Sequence, residues 1–273
     1  MMERCINDYF IKNDEALGAD EFAETYKVEG KCIYEVIRII EGKPLFMDDH
    51  MKRYENSLSL VGVKAPIDMK TIEKYVGQII MLNRIRNGNI KIVINGDNLF
   101  IFSIPASYPS DEMYKKGVKT ILYFGERNNP NAKVINDDFR SEVNKKISAA
   151  EAYEAILVNR DGFITEGSKS NIFAVKDGKV YTAPVLEVLP GITRGRIIDA
   201  CRALELEVVE KDIPYRDLAE MDGLFISGTS PKVLPINEIE DIIKYKGINS
   251  LINEIKTKFD EIIRRNLRDY EGI

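Results

Sequence analysis

The stretch FITEGSKSNIFAV, residues 163–175, decides how this sequence is interpreted. An apolar run at 155–158 precedes it and a turn at 159–162 joins the two, a pattern typical of adjacent strands in one sheet. Within the stretch, Glu166 is followed by a glycine and two serines, and apolar residues resume at 172–175. The pattern therefore predicts a carboxylate at a short break between two strands.

The bulk composition is typical of a globular protein. The chain has 273 residues, of which 44% are hydrophobic and 30% are charged, and its net charge is −5. This acidic balance gives no reason to expect nucleic acid or an anionic membrane surface as a partner. The sequence has no apolar run long enough to span a membrane, and its N-terminus lacks an apolar signal core. We therefore expect a cytoplasmic protein with one large domain or two ordinary ones.

Cysteine and histidine usage excludes several kinds of site. Cys5, Cys32 and Cys201 are odd in number and widely spaced, so they indicate neither a disulfide framework nor a zinc pattern. Cys201 lies in a helical pattern and is expected to be a small core residue. The single histidine, His50, excludes a multi-histidine metal site within one chain and disfavours a Ser–His–Asp site. We expect no metal ion.

Periodicity predicts elements in two parts of the chain. In the first part we expect a strand continued through an EGKP turn, two helices and a hairpin, at 33–40, 48–61, 68–84 and 90–105. Asp48 or Asp49 can cap the first of these helices, and Gly62 ends it. In the second part we expect a helix, three strands, a helix, two strands and a last helix, at 138–152, 155–158, 171–175, 179–182, 193–205, 206–213, 223–227 and 249–268.

The segment between these parts is predicted to hold the domain boundary. ASYPSDE, residues 106–112, is typical of a loop, and a strand is expected at 118–124. GERNNPNA, residues 125–132, is polar and rich in glycine, proline and asparagine. We expect an N-terminal domain at 1–120, an interdomain loop at 121–132 and a C-terminal domain at 133–273.

Two glycine turns are candidate phosphate sites. In LPGITRGRI, residues 189–197, Gly191 permits an unusual backbone turn and the close approach of a ligand, and Thr193 is placed to cap the following helix. A helix N-terminus presents backbone N–H groups and the positive end of the helix dipole, which suits an anion. GTSP, residues 228–231, places the Thr229 hydroxyl at the end of an apolar strand. Taken alone, each motif is better explained as ordinary structure, a well-capped helix or a simple turn.

Basic side chains add two further candidates. His50, Arg53 and Ser57 are spaced by three and four residues and share one helix face. An arginine there suits a phosphate clamp, with a solvated polar face as the alternative. Lys133 follows a polar loop and begins a short apolar run, which suits a side chain directed at a cleft, although taken alone it is better explained by a structural role.

Together these features are a phosphate cradle, a lysine and a carboxylate in a break between strands. The sequence resembles the class IV, or fold type IV, pyridoxal-phosphate enzymes, which include branched-chain aminotransferases, D-amino-acid aminotransferases and aminodeoxychorismate lyases. The matching segments, in chain order, are YEVIRIIEGKPLFMDDHMKRYENS, AKVIN, YEAILVNRDGFITEGSKSNIFAVKDGKVYT, LPGITR and FISGTSPKVLPI. The resemblance implies a two-domain α/β (α+β) fold, with a small N-terminal α/β domain and a larger C-terminal pseudo-barrel domain with flanking helices. It also implies pyridoxal 5'-phosphate as cofactor and a homodimer.

The resemblance implies roles for individual residues. Lys133 matches the lysine that forms a Schiff base with the cofactor, and Glu166 matches the acid that pairs with the pyridine nitrogen. A carboxylate at that nitrogen would keep it protonated through a charge-assisted hydrogen bond. The phosphate-binding positions of the family are matched by Arg53, Ile192, Thr193, Gly228 and Thr229.

Other matched positions surround the ring and the substrate. Leu189 matches a residue packed against the cofactor ring, and Ser170 lies in the loop after Glu166, near the ring. Tyr34 matches a tyrosine that faces the substrate.

The substrate side departs from the family. A GDG that often precedes the substrate tyrosine is absent from YKVEGKCIYE, and an arginine–glycine that binds substrate carboxylates is absent from FSIPASYPSDE. Arg38 and Tyr108 are the candidate replacements. We expect neutral donors to bind the carboxylate, namely the hydroxyls of Tyr34 and Tyr108 with N–H groups of GTSP, and we expect a preference for neutral amino acids.

Three functions are consistent with this pattern. The first is an aminotransferase that moves an amino group between an amino acid and a 2-oxo acid, which are its small-molecule partners. The second is a lyase of the aminodeoxychorismate type, which shares the cofactor site. The third, a non-catalytic cofactor-binding homologue, is disfavoured because phosphate binding alone requires neither Lys133 nor Glu166.

Overall fold

The computed structural model describes residues 4–28 and 30–272, and they form two compact units. The first unit comprises those within Met1–Ser107, Ala132–Ile135 and Ile263–Ile273. The second unit comprises Tyr108–Asn131 and Asn136–Ile262.

The described residues form sixteen strands, seven α-helices and three short 3-10 helices. The strands are β1 (Tyr9–Lys12), β2 (Glu15–Gly18), β3 (Cys32–Ile40), β4 (Lys43–Pro44), β5 (Asn87–Asn95), β6 (Asn98–Ile104), β7 (Val118–Phe124), β8 (Glu154–Val158), β9 (Phe163–Gly167), β10 (Asn171–Lys176), β11 (Lys179–Thr182), β12 (Val208–Glu210), β13 (Ile213–Pro214), β14 (Gly223–Gly228), β15 (Lys232–Ile239) and β16 (Ile243–Lys244). The helices are α1 (Phe22–Thr25), α2 (Met47–Val61), α3 (Met69–Leu82), α4 (Asp111–Lys116), α5 (Asp137–Ala149), α6 (Ile192–Ala203) and α7 (Ser250–Arg268). The 3-10 helices are Ala19–Glu21, Val185–Glu187 and Tyr215–Glu220.

The first unit is built on a six-stranded antiparallel sheet with the order β2-β1-β6-β5-β3-β4. Side chains alternate between its two faces, as pleated strands require. One face is rich in isoleucine and packs with apolar side chains of α2 and α3. The opposite face carries an aromatic cluster that includes Tyr34, Phe100 and Phe102. Neighbouring residues on β3 therefore point into different environments.

The second unit contains a closed ring of six strands. Its order is β10-β14-β15-β7-β8-β9, and a pairing of Asn171 with Glu166 joins β9 back to β10. Two pairs of the ring, β7 with β8 and β7 with β15, are parallel, and the others are antiparallel. This closed sheet confirms the barrel-like domain that the resemblance implies.

The predicted break between two strands is present. Strand β9 ends at Gly167 and β10 begins at Asn171, so the chain leaves the sheet for three residues, starting two positions after Glu166. Gly62 in a left-handed conformation ends α2, with φ 73°, and Cys201 is fully buried, as predicted.

Two helix caps differ from prediction. Helix α2 has Phe46, with φ 55°, at its N-cap, and Asp48 and Asp49 lie inside the first turn. The Phe46 N–H donates to Asn266 Oδ1 at 2.9 Å, so a tertiary contact stabilises this helix start. Helix α6 starts at Ile192 with Gly191 as N-cap, which makes the predicted Thr193 cap wrong.

Two other segments also differ from prediction. The predicted strand at 206–213 is divided into β12 and β13, because β12 pairs with β11 whereas β13 pairs with β9. In the predicted loop at 106–112, Asp111 and Glu112 already belong to α4. Ser110 caps that helix by accepting from the Met113 N–H at 3.3 Å.

Two short segments from the later part of the sequence belong to the first compact unit. Residues Ala132–Ile135 belong to the first unit because they run beside β3, where Tyr34 N donates to Lys133 O and Ile135 N donates to Cys32 O. The end of α7 also belongs to the first unit, because Lys43 Nζ donates to Leu267 O at 2.7 Å.

Membrane-spanning helices and clustered metal ligands are both absent from the described residues. No helix within 4–28 and 30–272 combines the length and the apolar character that membrane crossing requires. The same ranges contain no group of three or more histidine, cysteine, aspartate or glutamate side chains arranged to hold a metal ion.

Candidate functional site

Lys133 is positioned by backbone hydrogen bonds to β3. Val134 forms an isolated antiparallel bridge with Ile33, and the Lys133 carbonyl accepts from Tyr34 N at 3.1 Å. On the helix side, the Lys133 N–H donates to Ser57 Oγ at 3.3 Å. The Lys133 Nζ atom lies 4.7 Å from the centroid of the Tyr34 ring. A short segment held on both sides therefore places this amine beside the tyrosine that was predicted to face the substrate.

Arg53 is buried in an ion pair and does not lie on a solvated face. Its Nε and Nη2 atoms donate to the two carboxylate oxygens of Glu35, at 2.7 and 2.6 Å. His50 Nδ1 lies 2.7 Å from Glu35 Oε2. The shared helix face of His50, Arg53 and Ser57 was predicted from spacing, but Glu35, which organises it, was not identified. The sequence feature that could have identified it is a carboxylate two residues from both Ile33 and Ile37, on the apolar face of β3.

The electrostatics of this group follow from burial and pairing. Burial has the largest influence and would raise the pKa of Glu35, but the charge of Arg53 and the hydrogen bonds from His50 and Arg53 hold that pKa well below its usual range. Burial lowers the pKa of His50, although Glu35 opposes this. At neutral pH we infer an ionised Glu35, a neutral His50 that donates from Nδ1, and a charged Arg53. The guanidinium has five N–H groups, so two bonds to Glu35 do not exhaust it.

A second lysine shares the Tyr34 ring, and sequence reasoning missed it. Lys91 on β5 has its Nζ atom 4.8 Å from the centroid of that ring and is only 4% exposed. The β3–β5 register pairs Tyr34 with Val93 and Lys91 with Val36, so all four side chains share one face. Arg38 is on this face too, but four residues along β3, so its Cα lies about 13 Å from that of Tyr34.

Glu166 is a buried carboxylate with two identified donors. Arg127 Nη1 donates to Oε1 at 3.0 Å, and the Leu189 backbone N–H donates to Oε2 at 3.1 Å. The Glu166 side chain is 4% exposed. Hydrogen bonds from an arginine and a backbone amide favour the ionised form of a carboxylate. Arg127, in the polar connection before Lys133, was not singled out from the sequence.

The loop after Glu166 is held by a second buried carboxylate, Glu154. The Glu154 carboxylate accepts from Ser168 N at 3.1 Å, from Ser168 Oγ and from Ser170 Oγ at 3.2 Å. Burial raises the pKa of Glu154, and these hydrogen bonds oppose that rise. A Cβ on Gly167 would lie 2.1 Å from Ser170 Oγ, so any other residue here would have to displace the Ser170 side chain. Ser170, predicted to lie near the ring, therefore contacts Glu154 in this loop.

Gly191 is required by a close contact, not by an unusual backbone angle. Its φ and ψ of −63° and 132° are open to any residue, which makes the predicted unusual turn wrong. A Cβ there would lie 2.1 Å from Asn171 Oδ1. Asn171 Nδ2 also donates to Leu189 O at 2.9 Å. Asn171 thus connects the start of β10 to the turn that precedes α6.

The start of α6 has the features of an anion site. In the part of the chain that the structure describes, no side chain caps this helix, and its N-cap is a glycine. The first N–H groups of an uncapped helix need acceptors and carry the positive end of the dipole. Ile192 and Thr193 are the first two residues of the helix, and Thr193 is buried.

The end of β14 lies beside the same loop. Ser227 is paired with Asn171, and a Cβ on Gly228 would lie 3.6 Å from Lys169 O. Among the described residues, Ser227 Oγ is one of five buried side-chain atoms without a hydrogen-bond partner. Thr229 follows directly. Tyr108 lies half-buried ahead of α4 in the same unit.

The second unit thus brings Glu166, the start of α6 and the end of β14 around one loop. This arrangement can hold an anion at α6 and accept a hydrogen bond at Glu166. The first unit brings together an amine at Lys133, a phenol at Tyr34 and a guanidinium at Arg53. The amine of the first unit suits an aldehyde, and the unpartnered Ser227 hydroxyl and the uncapped helix of the second unit suit a phosphate.

Comparison with known proteins supports this interpretation. Residues 32–239 match the family model described as amino-transferase class IV. A Methanocaldococcus jannaschii protein with a provisional branched-chain-amino-acid aminotransferase name is 29% identical over 256 residues, which cover 85% of this chain and 87% of that protein. A D-alanine aminotransferase of Bacillus licheniformis is 27% identical over 227 residues, or 77% and 80% of the two chains. A branched-chain amino acid aminotransferase from T.th., solved with pyridoxamine 5'-phosphate, superposes with a TM-score of 0.86 at 22% identity, over 98% of each chain.

Proposed function

Because this chain belongs to the class IV aminotransferase family, we propose that it uses pyridoxal 5'-phosphate to move an amino group between a neutral amino acid and a 2-oxo acid. The observation that carries the proposal is the Glu166 carboxylate, buried at a strand break and held by Arg127 and by the Leu189 N–H. Phosphate binding alone would not require such a group, whereas a protonated ring nitrogen would.

The phosphate is assigned to groups that already favour anions. We propose that the N–H groups of Ile192 and Thr193, at the start of α6, bind it together with the Gly228–Thr229 turn. Arg53 supplies positive charge from the N–H groups not used by Glu35. Leu189 packs against the ring, because its N–H already contacts Glu166. The T.th. relative, solved with pyridoxamine 5'-phosphate, supports the choice of cofactor.

When bound, pyridoxal phosphate supplies an electron-poor ring that takes up the electron pair left when the substrate Cα–H bond breaks. Glu166 accepts a hydrogen bond from the ring nitrogen and keeps its proton in place. Lys133 Nζ would hold the cofactor at rest, and as a free amine it would accept the Cα proton as general base. Tyr34, beside that amine, contacts the substrate.

We also propose that the protein is a homodimer, which the resemblance implies. A cytoplasmic location, predicted from the sequence, is a further proposal. The preference for a neutral substrate is supported by the relatives, whose names refer to branched-chain amino acids and D-alanine. The apolar surroundings of Tyr34, which include Val36, Val93 and Phe102, are consistent with it.

The proposed function is tested by the two half-reactions measured separately. Alanine, leucine and glutamate, each in both enantiomers, are added to the cofactor-loaded protein, and the loss of cofactor absorbance near its long-wavelength maximum is followed. We expect a neutral amino acid to react fastest and a 2-oxo acid to restore the absorbance. If the absorbance is never restored and pyruvate is released from an aminodeoxychorismate-like substrate, the chain is a lyase and the proposal is wrong.

Two glycines, the N-cap of α6 and one inside the helix, give a matched test of the phosphate site. Gly191→Ala places a methyl group against Asn171 Oδ1, whereas a Cβ on Gly195 meets nothing within 4 Å. We expect Gly191→Ala to raise the cofactor Kd at least about 10-fold, because a displaced helix start loses a charge-assisted contact worth roughly 1.5–3 kcal/mol. Gly195→Ala should leave the Kd unchanged and stabilise the helix slightly. Equal cofactor affinities in the two variants, measured by equilibrium dialysis, would place the phosphate elsewhere.

A further inference from the structure

We propose that Glu154 is a positioning residue for Glu166. Its carboxyl group binds the loop at residues 168–170, and the shape of this loop sets where Glu166 lies. The inference rests on the proposed function, because it concerns the carboxylate that serves the cofactor in that same site. All the residues involved belong to the second compact unit.

Glu154 is an unusual residue for its strand. It begins β8, whose four other residues are apolar and buried. Glu154 itself is only 4% exposed. Burying a carboxyl group costs free energy unless hydrogen bonds compensate for it, and an apolar residue would avoid that cost. A carboxyl group at this place therefore needs a role that the packing of β8 does not explain.

Four donors converge on this carboxyl group. The N–H groups of Ala155 and Ser168 each donate to Oε1 at 3.1 Å, and Ser168 Oγ donates to the same oxygen. Ser170 Oγ donates to Oε2 at 3.2 Å. Three of the four donors thus belong to the first and last residues of the loop 168–170, so Glu154 fixes both ends of this loop.

The loop in turn controls a closed set of contacts around Leu189. At its base, Gly167 N donates to Ser170 O at 2.7 Å, and Glu166 is paired with Asn171. Glu166 Oε2 accepts from the Leu189 N–H at 3.1 Å, and Asn171 Nδ2 donates to Leu189 O at 2.9 Å. A change in the shape of the loop moves Glu166 and Asn171 relative to each other, so these two contacts cannot both persist.

The two buried carboxyl groups differ in their donors. Burial raises the pKa of Glu154, and the hydrogen bonds from Ser168 and the Ala155 N–H oppose that rise. Serine hydroxyls can accept as well as donate, so they can follow this carboxyl group in either protonation state. Glu166 accepts from Arg127 and from a backbone N–H, which favour its ionised form. Glu154 thus holds the loop, whereas Glu166 carries the charge.

Two substitutions at Glu154 separate positioning from simple support of the fold. Glu154→Leu keeps most of the bulk but leaves the serine hydroxyls without this acceptor. Glu154→Gln keeps an oxygen for the two backbone N–H groups, and its NH2 group can donate to Ser170 Oγ. The control is Thr182→Val, which also removes a buried hydrogen bond of this unit, from Oγ1 to Ile172 O at 2.8 Å, but one that does not involve the loop.

Hydrogen exchange of the Leu189 N–H reports the position of Glu166 without turnover. It is followed by NMR in protein labelled at the leucine nitrogens, with and without cofactor, and Leu224 on β14 is the reference. We expect Glu154→Leu to speed exchange at Leu189 at least about 10-fold more than at Leu224. Glu154→Gln should restore most of the protection, and Thr182→Val should change the two amides to the same extent.

The rate of Cα proton removal is the second measurement. With the best amino acid from the donor screen, we expect Glu154→Leu to slow the single-turnover rate roughly 10- to 100-fold, because small displacements of a reacting group have effects of this size. Glu154→Gln and Thr182→Val should remain close to the wild type. If Glu154→Leu does not fold, Ser168→Ala takes its place, because it removes one donor of the loop. We expect Ser168→Ala to speed Leu189 exchange and to slow proton removal about 5-fold.

The proposal is overturned if the loop variant loses thermal stability as Thr182→Val does but keeps the wild-type rate, whether or not the Leu189 exchange changes. A slowed rate with unchanged Leu189 exchange also overturns it, because Glu154 would then act otherwise than through Glu166. If no amino acid reacts while the Leu189 exchange behaves as expected, the proposed function fails and the positioning of Glu166 by Glu154 stands.

Discussion

Lys133→Ala is expected to lower kcat by roughly 10⁴-fold or more, the largest effect of any single substitution in this chain. The variant loses both the amine that attaches the cofactor and the base that accepts the Cα proton, and a positioned general base alone contributes about 10²- to 10⁴-fold. The neighbouring backbone bonds to β3 do not involve the side chain, so the fold should persist. Single-turnover rates with the best amino donor measure the effect.

A matched control and a chemical label accompany this variant. Lys145, exposed on α5, is replaced by alanine in parallel and should have no effect on kcat. Borohydride reduction of the wild type, followed by peptide mapping, should place the cofactor on Lys133. A label on another lysine, or a Lys133→Ala variant that retains near-normal turnover, would show that a different amine does this chemistry.

Glu166→Gln is expected to slow Cα proton removal by about 100-fold, corresponding to roughly 3 kcal/mol of barrier. A neutral amide cannot hold the ring nitrogen protonated, so the ring becomes a weaker electron acceptor. The amide oxygen can still accept from the Leu189 N–H, which contacts Glu166 at 3.1 Å, so the strand break should keep its shape. The rate is measured by stopped-flow absorbance, using substrate protonated or deuterated at Cα.

The control for this variant replaces an exposed acid of the second unit. Glu187→Gln, in the 3-10 helix Val185–Glu187, should leave the rate unchanged. Cofactor affinity should remain close to that of the wild type in both variants, because the residues proposed to bind the cofactor phosphate are unchanged. A Glu166→Gln variant with a normal single-turnover rate would remove the proposed role of the carboxylate.

Local patterns were sufficient for most elements of the fold. The alternating apolar residues of β5 and β6 and the NGDN turn predicted their hairpin, and the stripes of α2 and α3 predicted both helices. Strand β15 was harder, because it contains Pro235, which cannot donate to a ladder and so argues against a strand. Its place is determined by partners distant in sequence, β14 on one side and β7 on the other.

The sequence by itself determined the family, the barrel-like domain and the identity of Lys133 and Glu166 as candidates, because these depend on short motifs in a fixed order. Only the tertiary structure decided what those residues contact. Arg53 pairs with Glu35, Glu166 with Arg127, and Lys91 lies beside Tyr34. In each case the partners are 18 or more residues apart and meet only when strands and helices pack. No local sequence pattern could therefore show that they are in contact.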